Sequence, residues 1–237
     1  MILSVSGLRK SFGPLIAVDD IAFDVELGEI VGLAGPNGSG KSALLRILAG
    51  AMEPQFGAVR LLGFDALLER RRAQQKLGFV PEGAPLPEDG TPVRLLRRAA
   101  LLRGLRDPEA RHAVLAAATA AQLDAAFDRP IESLSPGQRR RLAIAAALVH
   151  KPVLLLFDEL DEGLDWQERE VIRQVVRAVA VDRAVVLASR SLDELQAVCD
   201  RVLMLYRGRI VGERASGKDE NLAQPYAMLM AQRRLAR

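Results

Sequence analysis

Apolar and polar positions alternate in short runs through the first 34 residues: Ile2 to Val5, then Ile21-Ala22-Phe23-Asp24-Val25, then the turn Leu27-Gly28-Glu29. A two-residue period buries one face of a strand and wets the other, so this stretch predicts antiparallel strands. Ile30-Val31-Gly32-Leu33-Ala34 is continuously apolar, as suits a strand covered on both faces. Gly57 to Gly63 and Leu77 to Val80 predict further strands, with a basic-faced helix over Leu67 to Gln75 between them. From Gly83 to Pro92 the chain is rich in proline, glycine and acid; from Val93 to Phe127 it is rich in alanine, leucine and arginine with a helical period. Asp107-Pro108 predicts a helix start, aspartate capping and proline in the first helical position. Val153 to Phe157 and Ala184 to Ala188 are two more buried-strand runs. Between them Val171, Ile172, Val175, Val176 and Val179 share one face of a helix over 165–180. Arg201 to Tyr206 and Arg209 to Val211 predict a hairpin turning at Arg207-Gly208, and the polar tail after Glu213 becomes helix-like around Tyr226 to Met230.

Composition narrows the class. Of 237 residues, 49% are hydrophobic and 27% charged, which suits a globular core and excludes a disordered or fibrous chain. A formal charge of +3, from 33 basic and 30 acidic residues, is too small to argue for nucleic acid. The arginine runs Arg70 to Arg72, Arg97-Arg98 and Arg139 to Arg141 are dispersed and lack exposed aromatic neighbours, so they are expected on solvated helix faces. There is no run of 18 apolar residues, and Met1-Ile2-Leu3-Ser4-Val5 lacks the features of a signal peptide, so a cytosolic location is expected. Cys199 is the only cysteine, which rules out an internal disulfide, and neither His112 nor His150 has a metal-ligand spacing.

Candidate chemistry begins at Gly35-Pro36-Asn37-Gly38-Ser39-Gly40-Lys41-Ser42, with Ala43 following. The pattern G-x-x-x-x-G-K-[ST] turns successive backbone N–H groups inward around phosphates, sends a lysine to the β/γ-phosphates and offers a hydroxyl to Mg²⁺. An apolar strand before it and a helix after it complete a nucleotide site, the helix dipole favouring anions. Phe12, in Lys10-Ser11-Phe12-Gly13, reads as a turn residue that stacks on a purine or, equally, as a core anchor. Asp158-Glu159 closes a buried strand: Asp158 is placed to hold Mg²⁺ opposite Ser42, and Glu159 to orient and deprotonate an attacking water.

Between these two elements lies Leu134-Ser135-Pro136-Gly137-Gln138, followed by a helix of small residues. With the phosphate loop and Asp158-Glu159, the chain resembles the ATP-binding subunit of ABC transporters along nearly its whole length. The resemblance implies an α/β fold: a P-loop NTPase (RecA-like) core over 1–82 and 146–213, carrying an antiparallel β subdomain. A helical subdomain over 83–145 holds the signature motif, and 214–237 forms a tail. It also implies two subunits, of the same or different chains, enclosing two ATP molecules head to tail. Ser135, Pro136, Gly137 and Gln138 would then face ATP bound to the partner, and integral membrane permease subunits would hold the pair at the inner face of the membrane.

The sequence departs from the family pattern at several points. Pro136 replaces a glycine and removes a backbone donor. Glu82 stands where a glutamine senses Mg²⁺; its carboxylate is expected still to ligate the metal, a variant resembling ATPases of ABC-2 type exporters. Leu160-Asp161 replaces Pro-Thr or Pro-Ser, and Arg190 replaces the histidine that contacts γ-phosphate. Arginine neutralises phosphate but exchanges no proton near neutral pH, so slower turnover at an intact ATP site is expected. Two readings follow: an exporter ATPase driving a permease, or a weakly hydrolysing subunit that organises a membrane complex by ATP-dependent closure. No nucleic-acid partner is expected.

Overall fold

In the computed structural model, residues 1–83, 85–123, 126–216, 222–224, 226–228 and 231 are described. The chain opens with β1 (Leu3–Phe12), β2 (Leu15–Val25) and β3 (Ile30–Ala34), then α1 (Lys41–Leu48), β4 (Phe56–Leu61) and β5 (Phe64–Asp65). Next come α2 (Arg70–Gln74), β6 (Leu77–Val80), α3 (Pro92–Leu102), α4 (Asp107–Ala120) and α5 (Pro136–Leu148). The remainder is β7 (Leu154–Asp158), α6 (Trp166–Ala180), β8 (Ala184–Ser189), α7 (Leu192–Val198), β9 (Arg201–Tyr206) and β10 (Arg209–Ala215).

Two sheets result. One has the order β2-β1-β4-β5, all antiparallel; the other has the order β10-β9-β3-β8-β7-β6, parallel except for the β10 edge. Strand alternation divides the interior. Leu155, Phe157, Val185 and Leu187 face a cluster shared with α3 to α7, while Leu154, Leu156, Val186 and Leu33 face α1 and the four-stranded sheet. Covering on both faces explains why all residues of β3, β7 and β8 are buried and why these strands lack polar alternation.

Several local expectations change. The helix expected from Leu67 starts only at Arg70, because the Asp65 carboxylate accepts from the N–H groups of Leu67 and Leu68 and holds a turn there. Asp107 lies inside α4 rather than capping it; its carboxylate pairs with Arg97 at 2.8 Å, and Arg106 takes the capping position. Phe12 ends β1, paired with Leu15 across Gly13-Pro14, rather than sitting in the turn. α7, with Ser191 Oγ accepting from Glu194 N at 3.3 Å, and the two-residue β5 are too short to leave a periodic signal. Arg140 is not on a solvated face: it is 8% exposed. In the tail Leu222 is buried against the α3 to α7 cluster, while Leu229 and Met230 lie outside the described residues. Among the described residues no helix is long and apolar enough to cross a membrane.

Candidate functional site

The parallel sheet aims three loops at one place. β3, β8 and β7 are neighbours, with Ala34 level with Ser189 and Ala188 level with Asp158, so the segments leaving their C-terminal ends emerge side by side. β6 pairs with β7 through Val80 and Phe157, which brings Glu82 to the same rim. A cavity of about 360 Å³ lies there, lined by Phe12, residues 37–43, Glu82, Glu159 and Arg190. Gly35, Pro36 and Asp158 do not line it, though Gly35 O accepts from Lys41 and Asp158 from Ser42. The signature residues do not reach this cavity.

The loop passes so close to β2 that only glycine fits at position 40: its φ is +108°, and a Cβ would lie 2.2 Å from Ala17 O. Lys41, 5% exposed, donates to Gly35 O at 2.7 Å and lies 3.7 Å from Glu159 Oε1. Burial lowers its pKa, and the carboxylates of Glu159 and Asp158 oppose that shift. Ser42 Oγ donates to Asp158 Oδ1 at 3.2 Å. Asp158 is fully buried and its Oδ2 has no hydrogen-bond partner among the described residues; burial holds this carboxyl above the ordinary carboxylate range, against the Ser42 bond. A hydroxyl beside an orphaned carboxylate oxygen is a hard donor set that suits Mg²⁺. Among the described residues no three histidine, cysteine or acidic side chains cluster, so any such ion takes its remaining ligands from water or substrate.

Glu159 leaves β7 in the left-handed region, with φ +51°, an uncommon backbone for a non-glycine residue that points its side chain into the cavity. Its Oε2 accepts from Arg190 N at 3.0 Å and lies 3.4 Å from Arg190 Nε. Burial raises its pKa, outweighing Lys41 and Arg190. Arg190 also pairs with Glu162 and lies 3.9 Å from Glu82; the Glu162 hydrogen bond, then Glu159, holds its guanidinium still more firmly protonated. The Leu160-Asp161 departure has a structural basis: Leu160 is 2% exposed within the core, and Asp161 accepts from Ser189 Oγ at 2.9 Å.

At the start of α5, Ser135 caps the helix. Gln138 N donates to Ser135 Oγ at 3.2 Å, and Ser135 N donates to Gln138 Oε1 at 3.0 Å. Pro136 contributes no N–H, and Gly137 N donates to Glu168 Oε1 at 3.0 Å. The nearby backbone donors are therefore engaged within the chain, and the Ser135 hydroxyl hydrogen remains to be donated. Glu162 and Glu168 were absent from the sequence-derived set. Glu162 belongs to the run Glu162-Gly163-Leu164-Asp165 that keeps the family pattern, but nothing local gives either residue its partner, which lies 28 and 31 residues away.

The profile of the ABC transporter family matches residues 18–161. The chain is 35% identical over 222 residues to the Nod factor export ATP-binding protein I of Ralstonia nicotianae, covering 93% of this chain and 68% of that protein. It is 32% identical over 212 residues to the protein of the same name from Sinorhizobium fredii, covering 89% and 62%. Among solved structures, the ATP-binding subunit of an ABC transporter superposes with a TM-score of 0.83 at 24% identity, covering 97% of this chain and 100% of that one. A bacterial Atm1-family ABC exporter with ATP bound matches with a TM-score of 0.78 at 27% identity, covering 98% and 42%.

Proposed function

The chain belongs to the ABC transporter ATP-binding family, and on that premise we propose that it is the ATPase of an exporter with separate permease subunits. The observation that carries this reading is the convergence of Lys41, the Ser42–Asp158 pair and Glu159 on one cavity. The names of its relatives, Nod factor export proteins and an Atm1-family exporter, support outward transport.

In this reading the residue 35–42 amides and Lys41 hold the ATP phosphates, and Phe12 stacks on the base. Ser42, Asp158 and Glu82 would hold Mg²⁺, which would neutralise β/γ-phosphate charge. Glu159 orients the attacking water and takes its proton. Arg190 binds the γ-phosphate. Lys41 and Arg190 are both engaged with Glu159, so phosphates bound beside them would draw both cations from it. That exchange would leave Glu159 without a cationic partner, and so more basic, when the water must be deprotonated.

Ser135 and its neighbours complete the site of a second ATPase subunit, of this chain or another. The helical group receives the permease. An apolar cavity of about 320 Å³ between Val93, Val114, Leu115 and Phe127, flanked by Arg97 and Arg111, supports that docking. The protein would then lie on the cytoplasmic face of the membrane without crossing it.

Arg190 favours the second reading, slow turnover in a complex organised by ATP-dependent closure, because it remains charged throughout the cycle. Phosphate release at saturating Mg-ATP, beside ATP binding and a Glu159→Gln control, tests both. Turnover lost in the control supports the transport engine; ATP binding without turnover supports the second reading; absence of ATP binding overturns both.

A further inference from the structure

Arg140 is 92% buried, taking its 8% exposure, yet no carboxylate pairs with it and its Nη1 has no hydrogen-bond partner among the described residues. Arginine does not shed its proton to escape burial, and a lone buried charge is strongly unfavourable. The side chain therefore calls for an anion in some state of the protein.

It lines a second cavity, of about 290 Å³, with Gly83, Pro85, Leu86, Pro136, Glu162 and Leu164. Glu162 lines the same cavity, and its carboxylate is at present bound to Arg190, which lines the nucleotide cavity. The other nearby acids are committed elsewhere: Asp161 to Ser189, and Glu82 toward Arg190. Of the three, Glu162 exerts the strongest pull on Arg140, ahead of Asp161 and Glu82. Gly163 follows Glu162 with φ +75°, a left-handed backbone that glycine adopts without steric cost.

We propose that Glu162 is a positioning residue that changes partner, holding Arg190 when γ-phosphate is absent and Arg140 when γ-phosphate claims Arg190. The exchange rests on the reading that ATP fills the first cavity. It makes the buried Arg140 charge whole only in the ATP state, and draws α5, with Ser135 to Gln138 at its tip, toward the segment 159–165. ADP, lacking γ-phosphate, leaves the resting pair intact.

The test compares Mg-ATP and Mg-ADP affinities in the wild type, Glu162→Gln, Arg140→Gln, the double variant and Arg140→Lys. Arg140→Gln is expected to weaken ATP about fivefold to tenfold while sparing ADP, because Arg190 must still leave Glu162 with nothing gained in return. The same change made in Glu162→Gln has no effect, and Arg140→Lys restores most of the affinity. Equal losses for ATP and ADP, or an undiminished Arg140→Gln effect in the Glu162→Gln background, overturn the exchange. Hydrogen exchange in α5 decides even if Arg140→Gln fails to fold: ATP, but not ADP, protects residues 137–148 in the wild type, and Glu162→Gln loses that protection. Equal protection in both proteins refutes the exchange while leaving the ATP site standing; a wild type that binds neither nucleotide removes the site and the exchange together.

Discussion

Asp158 carries the sharpest conflict between stability and function at the level of single residues. The folded chain binds a proton on this carboxyl more tightly than the unfolded chain does, because burial raises its pKa above 3.8. Its contribution is therefore fully present below the ordinary carboxylate value and is lost as pH rises through the raised one. Asparagine carries no charge to desolvate, and its oxygen still accepts from Ser42. Without nucleotide, Asp158→Asn is expected to be more stable than the wild type at pH 7, the gain reduced by an amide NH2 left in place of the partnerless Oδ2 and closing as pH falls toward the carboxylate range. Thermal melts across pH check this; a variant that melts lower at every pH contradicts it. At Arg190 the expectation concerns turnover. Arg190→His releases the guanidinium hold on Glu159 and introduces a group that ionises near neutrality, so phosphate release should rise several-fold and its pH profile gain an ionisation in the imidazole range. An unchanged rate and profile would remove Arg190 as the brake.

Elements matter here through how closely they pack. α5 lies against β6 so tightly that a Cβ on Gly78 would meet Ala147 O at 2.5 Å and the Leu155 side chain at 2.9 Å. A backbone oxygen in a packed helix cannot step aside, so Gly78→Ala is expected to destabilise the chain by about 1–3 kcal/mol, read in denaturant melts. A loss near zero would mean that α5 is free to shift. The sequence displayed both elements, β6 with the right ends and α5 as a helix rich in small residues, but not their contact. The same limit applies to Arg140. A run of three arginines predicts solvated faces, whereas the fold buries the middle one beside a cavity that it lines with Gly83, Pro85, Leu86, Glu162 and Leu164.

For the whole molecule, the open question is what completes the site, since Ser135 to Gln138 stand apart from the nucleotide cavity of their own chain. Trp166, the only tryptophan, begins α6 beside Asp165 and is 74% exposed, an aromatic surface of the kind buried at interfaces. With Glu159→Gln to block hydrolysis, Mg-ATP is expected to convert monomer to dimer in sedimentation and to shift Trp166 emission to the blue. Adding Ser135→Arg should abolish both changes while ATP binding persists. A dimer that survives that change would place the interface elsewhere.

Local order sufficed for much of the site. The glycine-lysine loop, the apolar runs of β3, β7 and β8, and the carboxylates closing β7 are adjacent in sequence to the structure they form, so residue type and spacing reveal them. The sequence by itself thus determined the family, the α/β architecture and the loop that joins β3 to α1. Tertiary structure alone decided the electrostatics: that Arg190 binds Glu159 and Glu162, that Glu168 takes the Gly137 N–H, and that Arg140 Nη1 is buried without a hydrogen-bond partner among the described residues. Those facts depend on strand order and helix packing that bring residues about 30 positions apart, or more, within hydrogen-bond reach, and charge burial has no local signature in a chain where nearly every charged residue is otherwise free to face water.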